Sequence, residues 1–219
     1  SVNAMTKLLT NQEVVGVYGS HYSSYIIAVS PAVKEAKKPM LHGGSSINIS
    51  KENNPYLWMC RLTDDKTGEI MAKAAVDEIG MKNPAIMYLN NSFGSGLMEQ
   101  TVAALAKLGV TVNPSYLYAF NDDEEQFSPL ITMIMNSDAD GLIAIDTQAT
   151  APILSMQVTA AGFEKPCLGS SSFTGPIMLD TAPESVEGWY ALTDWLCAAS
   201  SDSAKKFVEA YRAEYNSDP

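Results

Sequence analysis

The sequence predicts an α/β fold of parallel sheets with helices on both faces, and three observations predict it. Short apolar runs recur along the chain, separated by roughly ten to fifteen residues with helical spacing of their apolar positions. The run VVGVYG, from Val14 to Gly19, has the unbroken apolarity of a strand covered on both sides. Glycines at Gly80 and Gly162 stand where two of the helical stretches should stop.

In chain order, Ser1 to Gln12 reads as helix, with Val2, Met5, Leu8 and Leu9 on one face. The strand at Val14 to Gly19 follows, then a helix in SSYIIAVSPAVKEAKK whose pattern Pro31 interrupts. PML forms a short strand ending at His42, and YLWMCRL from Tyr56 forms another. Glu69 to Ile79 carries Met71, Ala74, Ala75 and Ile79 at helical spacing. Strand AIMYL leads to a helix with Met98, Val102 and Leu105 in one stripe, and then to a strand in VTVNPSYLYAF, where Pro114 predicts an edge or a bulge. A helix places Phe127, Leu130, Ile131 and Ile134 together before strand GLIAI, and Ala151 to Ala161 is the next helix, followed by strand PCLGS. A short helical segment after Thr174, a strand at Gly188 to Leu192, and a helix with Phe207, Tyr211 and Tyr215 complete the series. The abrupt helical start and the turn signal at Asn216 to Pro219 read as those of a piece of a larger protein.

Of 219 residues, 46% are apolar and 18% charged, enough to bury a sizeable core. A net charge of -11 repels a phosphate backbone, so nucleic acid is not an expected partner. Apolar stretches break within about ten residues, half of what a spanning helix needs, and no signal peptide is read. Cys60, Cys167 and Cys197 have neither CxxC spacing nor a nearby histidine, which argues against a zinc site. They read as packing residues, although one pair could form in an oxidising compartment.

In an open parallel sheet, ligands bind where loops leave the carboxyl ends of the strands. Five such loops carry small hydroxyl residues and glycine: GSHYSS, HGGSS, NNSFGSG, DTQAT and SSSFTG. Any one of them is ordinary loop or cap composition. Five on one edge point to a crevice for a small polar molecule. Enzyme templates fit less well. No G-x-S-x-G elbow, P-loop or G-x-G-x-x-G after a first strand is present, so neither a nucleotide nor another cofactor is expected. His21 and His42 could serve a Ser-His-Asp set, but histidines at loop edges are more often pocket walls or surface residues. The carboxylates at Asp64, Asp65 and Asp122 to Glu125 lie in runs that read as solvated loops.

Taken in order, GSHYSSYIIAVSPAVKEAKKPMLHGGSS, RLTDDKTGEIMAKAAVDEIGMKNPAIMYLNNSFGSG, GLIAIDTQAT, VEGWYAL and FVEAYRAEY resemble the type I periplasmic solute-binding proteins. The resemblance is to the branch of leucine, isoleucine and valine binding proteins, and it covers essentially the whole chain. It implies a two-lobed fold with an incomplete first lobe, whose opening strand, helix and second strand are lacking. Residues 1–63 would belong to lobe I, 64–194 to lobe II and 195–219 to a segment returning to lobe I. The crossovers would fall near Thr63 to Lys66 and Asp194 to Leu196.

The same resemblance implies an extracytoplasmic receptor, periplasmic or held at the cell surface as a lipoprotein, that hands its solute to an ABC transporter permease. It assigns Ser23, Gly44, Ser45 and Ser46 to the ligand carboxylate, Phe93 and Thr147 to the second-lobe wall, and Ser171 to the place where amino-acid binders carry an acid for the ammonium. Tyr22, His42 and Asp146 are further candidates. No metal site and no catalytic residue is implied.

An unpaired buried ammonium costs several kcal/mol, so Ser171 points away from an α-amino acid unless Asp146 replaces the missing acid. The favoured expectation is a small carboxylate or amide, for which Ser171 and Thr147 suffice and Asp146 can face solvent. Two other readings stand beside this one: the ligand-sensing domain of a regulator or receptor, and a small hydrolase using Ser23 or Ser171.

Overall fold

The computed structural model describes residues 2–199 and 201–219, so the helix expected from Ser1 is seen from Val2 and Ser1 itself lies outside the described residues. The order is α1 (Val2–Thr10), β1 (Val17–Tyr18), α2 (Ser23–Ala36), β2 (Met40–His42), β3 (Leu57–Met59), α3 (Asp64–Lys73), β4 (Pro84–Leu89), α4 (Ser92–Lys107), β5 (Leu117–Phe120), α5 (Ser128–Met135), β6 (Gly141–Ile145), α6 (Ala151–Ala160), β7 (Cys167–Gly169), α7 (Pro176–Thr181), β8 (Tyr190–Ala191) and α8 (Asp202–Tyr215). Among the described residues every strand pairing is parallel, in two sheets ordered β1-β2-β3 and β5-β4-β6-β7-β8. Among the described residues, no helix is long and apolar enough to cross a membrane.

The five-stranded sheet has the two-sided cover that parallel strands require. Ala85, Met87 and Leu89 of β4 face a core with Ile131 and Ile134 of α5 and Leu154 and Val158 of α6. Ile86, between them in the pleat, turns to the opposite core, with Met71 of α3, Leu97 and Leu105 of α4, and Ile143 and Ile145 of β6. Gly80 and Gly162, at φ 83° and 70°, take the left-handed conformation that ends a helix cheaply only without a Cβ.

The three-stranded sheet is covered on one face. Leu9 of α1, Ile26, Val29 and Val33 of α2, Met40 of β2 and Ile49 make its core. On the other face Leu41 and Tyr18 are exposed, Trp58 is 60% exposed, and Val15, just before β1, is 85% exposed.

Several expectations are corrected. The strand expected over Val14 to Gly19 is two residues long and lacks cover on one side. Pro31 sits within α2 without breaking it. The third helix starts at Asp64, five residues before Glu69, and continues as a π-helical turn over Ala74–Glu78. The long strand before Phe120 is four residues, because Pro114 opens a 3-10 turn and leaves β5 at the sheet edge. All three cysteines are free, but only Cys167 is buried, and Cys60 is exposed rather than packed. Burial pushes the Cys167 thiol up to about 12, so it stays a thiol at any physiological pH.

Candidate functional site

A cleft of about 420 Å³ lies at the carboxyl ends of both sheets. The loop after β1 contributes His21, Tyr22, Ser23 and Ser24, and the segment after β3 contributes Arg61. From the five-stranded sheet come Asn91 and Phe93 after β4, Asp146, Thr147 and Gln148 after β6, and Ser171 and Ser172 after β7. Strands β4 and β6 are adjacent, yet their sequence neighbours diverge to opposite sides of the sheet. This is the topological switch at which a crevice opens.

Local chemistry fixes each wall. Asn91 caps α4, its Oδ1 accepting from the Phe93 and Gly94 amides at 3.0 and 2.9 Å, which sets Phe93 at the cleft rim. Its Nδ2 donates to Asp122 at 2.7 Å. The main chain of Asp146 is held by the β7 loop: its amide donates to Ser170 Oγ, and its carbonyl accepts from the hydroxyls of Ser170 at 3.1 Å and Ser172 at 2.7 Å.

The Asp146 carboxyl is 1% exposed and half satisfied. Oδ1 accepts from the Thr147 amide and the Thr150 hydroxyl, both at 2.6 Å, while Oδ2 has no partner among the described residues. Burial raises its pKa to about 7 against the opposing effect of those two bonds. The expected solvent-facing Asp146 is thereby corrected: the residue lines the cleft from a buried position.

Of the candidates drawn from sequence, Ser23, Phe93, Thr147 and Ser171, with Tyr22 and Asp146, come together in this cleft. Gly44, Ser45, Ser46 and His42 do not line it. They are buried and adjoin it through Ser23, whose Oγ accepts from the Ser46 amide at 3.2 Å. The Ser46 hydroxyl is engaged as a cap, accepting from the Asn48 amide. The Ser45 carbonyl receives the Asp64 amide at 2.9 Å. These bonds join the loop after β2 to α2 and to the start of α3. Burial also lowers the His42 pKa, favouring the neutral ring, and His21 Nε2 meets the Tyr18 hydroxyl at 3.3 Å.

Two residues escaped the sequence reading. Arg61 lines the cleft and donates from Nη2 to Asp194 at 2.6 Å, while its Nε is buried and has no partner among the described residues. Asp64 was read as a solvated loop acid, yet it is fully buried, and burial raises its pKa to about 6 against the opposing effects of the Ser45 hydroxyl and the nearby Arg61 guanidinium. A Cβ added at Gly96 of α4 would stand 3.0 Å from Asp64 Oδ2 and 3.2 Å from Ser46 Oγ, so three segments converge on this carboxyl. The signal that could have found both was the spacing of RLTDD at a sheet-to-helix crossing rather than in a free loop.

Two parallel sheets with a polar cleft at their facing carboxyl ends define the class of a two-lobed binding protein. The Periplasmic binding protein family matches across residues 1–219, and the chain belongs to that family. Its structure is similar to a leucine binding protein, LivK, from Thermotoga maritima, at 24% identity and a TM-score of 0.88, covering 100% of this chain and 62% of that one. A solute-binding protein of an ABC transporter from R. palustris, solved with 4-hydroxybenzoate, matches at 18% identity and a TM-score of 0.86, over 98% of this chain and 59% of that one. An amino acid binding protein of Pseudomonas aeruginosa is 28% identical over 143 residues, which is 64% of this chain and 37% of the relative. The chain therefore spans less than two thirds of each of these relatives.

Proposed function

We propose that this chain is part of the extracytoplasmic solute-binding component of an ABC importer, which closes two lobes on a small polar solute and delivers it to a permease. One observation carries the reading: Tyr22 and Ser23 from one sheet and Phe93, Asp146, Thr147 and Ser171 from the other line a single cleft. Its volume lies in the range of small-molecule pockets, and its polar groups converge as those of such sites do. The lobes are residues 1–63 and 64–194, with 195–219 returning to the first. The uncovered face carrying Leu41 and Trp58 supports a first lobe completed by further chain.

The solute is an amino acid, an amide or a small carboxylate, a range supported by relatives described with leucine and with benzoates. Within that range, the buried, unpartnered Oδ2 of Asp146 at the cleft wall favours a solute that offers a hydrogen-bond donor. The amine-free preference drawn from sequence left that carboxyl free to face solvent. Thermal unfolding of the full-length protein across amino acids, amides and carboxylates tests the reading. A true ligand raises the transition by mass action, by about 2.7 kcal/mol at a hundredfold excess over Kd. A panel without any shift contradicts it.

A further inference from the structure

We infer that the buried carboxyl of Asp64 is a latch between the two lobes, holding them together while it carries a proton and releasing them once it is ionised. The inference goes beyond the solute-receptor reading and rests on its division of the chain into lobes. Asp64 opens α3, where the chain passes from the three-stranded to the five-stranded sheet, and its amide donates to the Ser45 carbonyl at 2.9 Å. Its side chain is fully buried between the loop after β2, which belongs to the first lobe, and α4 of the second. The Cβ that Gly96 lacks would stand 3.0 Å from Asp64 Oδ2 and 3.2 Å from Ser46 Oγ, so the two lobes meet at this carboxyl with no room for a side chain between them.

A carboxylate in that position has given up its water, which is costly unless its surroundings replace it. The Ser45 hydroxyl and the Arg61 guanidinium favour the ionised form, while Asp65, its neighbour on α3, opposes it. Arg61 is also paired with Asp194 at 2.6 Å, so its charge is shared between two acids. The surfaces that α4 and the loop after β2 bring against the carboxyl are those of Gly96, Ser45 and Ser46, which carry no charge. Burial outweighs the favourable contacts and raises the pKa to about 6. Parting the lobes at Gly96 admits water and returns the carboxyl toward its ordinary 3.8. The joined arrangement thus holds the proton more tightly. The stabilisation it draws from Asp64 is complete below about pH 4 and is lost as pH rises to about 6.

Fluorescence energy transfer in the ligand-free full-length protein tests this. Dyes go on Glu35→Cys of α2 and Lys107→Cys of α4, both exposed positions, with Cys60→Ser and Cys197→Ser to remove the accessible native thiols. Between pH 5 and pH 8 the ratio of joined to parted lobes should fall roughly tenfold in wild type. Asp64→Asn should keep the pH 5 efficiency at both values, and Gly96→Ala, which wedges the contact, should keep the pH 8 efficiency at both. Asp146→Asn, which removes the other buried acid beside the cleft, should leave the wild-type response in place. A response that survives Asp64→Asn, or a Gly96→Ala variant identical to wild type, overturns the inference. So does an efficiency that moves with leucine or 4-hydroxybenzoate but not with pH, an outcome that leaves the receptor reading intact. An efficiency that moves with neither solute nor pH contradicts both.

Discussion

Arg61 and Asp194 lie 133 positions apart in sequence and are joined by a 2.6 Å bond. Arg61 follows the last strand of the three-stranded sheet, three residues before α3 begins, and Asp194 follows the last strand of the five-stranded sheet. The pair thus ties together the two segments at which the chain leaves each sheet, beside the cleft. Exposed ion pairs contribute little to stability, and this one is half-exposed, so its interest is positional.

Asp64 gives the fold a pH dependence of definite sign. Its pKa is about 6 in the folded chain, against 3.8 for an unperturbed carboxyl. The folded state therefore holds the proton more tightly, and stability contributed by Asp64 falls as pH rises from about 4 to about 6. Asp64→Asn should stabilise the protein at pH 8 by at most about 3 kcal/mol and have little effect at pH 4. Urea unfolding at both values checks this, and equal effects at the two would contradict the buried-carboxyl account.

Asp146 predicts a pH dependence of binding. With a folded pKa of about 7, its carboxyl is largely protonated at pH 5 and largely ionised at pH 8. An ammonium binds the ionised form, so affinity for leucine should rise roughly tenfold or more over that interval. In Asp146→Asn the rise should vanish. Titration calorimetry at pH 5, 6, 7 and 8 measures it, and a flat profile in wild type would remove Asp146 from the ligand contacts.

Gly68 permits the closest approach of α3 to α4. A Cβ there would lie 2.8 Å from the Gln100 carbonyl carbon and 2.9 Å from the Thr101 amide nitrogen, both backbone atoms that cannot rotate away. Gly68→Ala should cost about 1 to 3 kcal/mol through forced separation of the helices, despite alanine's better helix propensity. Denaturant midpoints compare the two chains. A stabilised variant would show that the helices part without cost.

The second sheet was largely legible in the sequence because its signals are local. GLIAI is a run of five apolar residues that folds as β6 and is buried throughout, and Gly162 ends α6 where its lack of a Cβ permits φ 70°. The short edges were less legible. Val14 to Gly19 has strand composition, but the extent of pairing depends on neighbours that the local pattern does not encode. The site was half legible for a related reason. Phe93, Thr147 and Ser171 follow strand ends and so reach the cleft. Ser45 and Ser46 also follow a strand end, but the approach of Gly96 and the bond from the Ser46 amide to Ser23 draw their loop into the framework. Asp64 looked solvated within a run of charges, because burial at that position comes from α4, more than twenty residues further on.

The proposed receptor holds one small solute in the cleft between the sheets. Calorimetric titration of leucine and 4-hydroxybenzoate into the full-length protein and a Thr147→Trp variant tests it most directly. Thr147 is half-buried at the cleft wall, so an indole there should fill ligand space without entering the core. The account predicts single-site binding of at least one solute to wild type, and its loss in the variant with the unfolding transition unchanged. Undiminished binding in Thr147→Trp, or no binding by wild type, would contradict it.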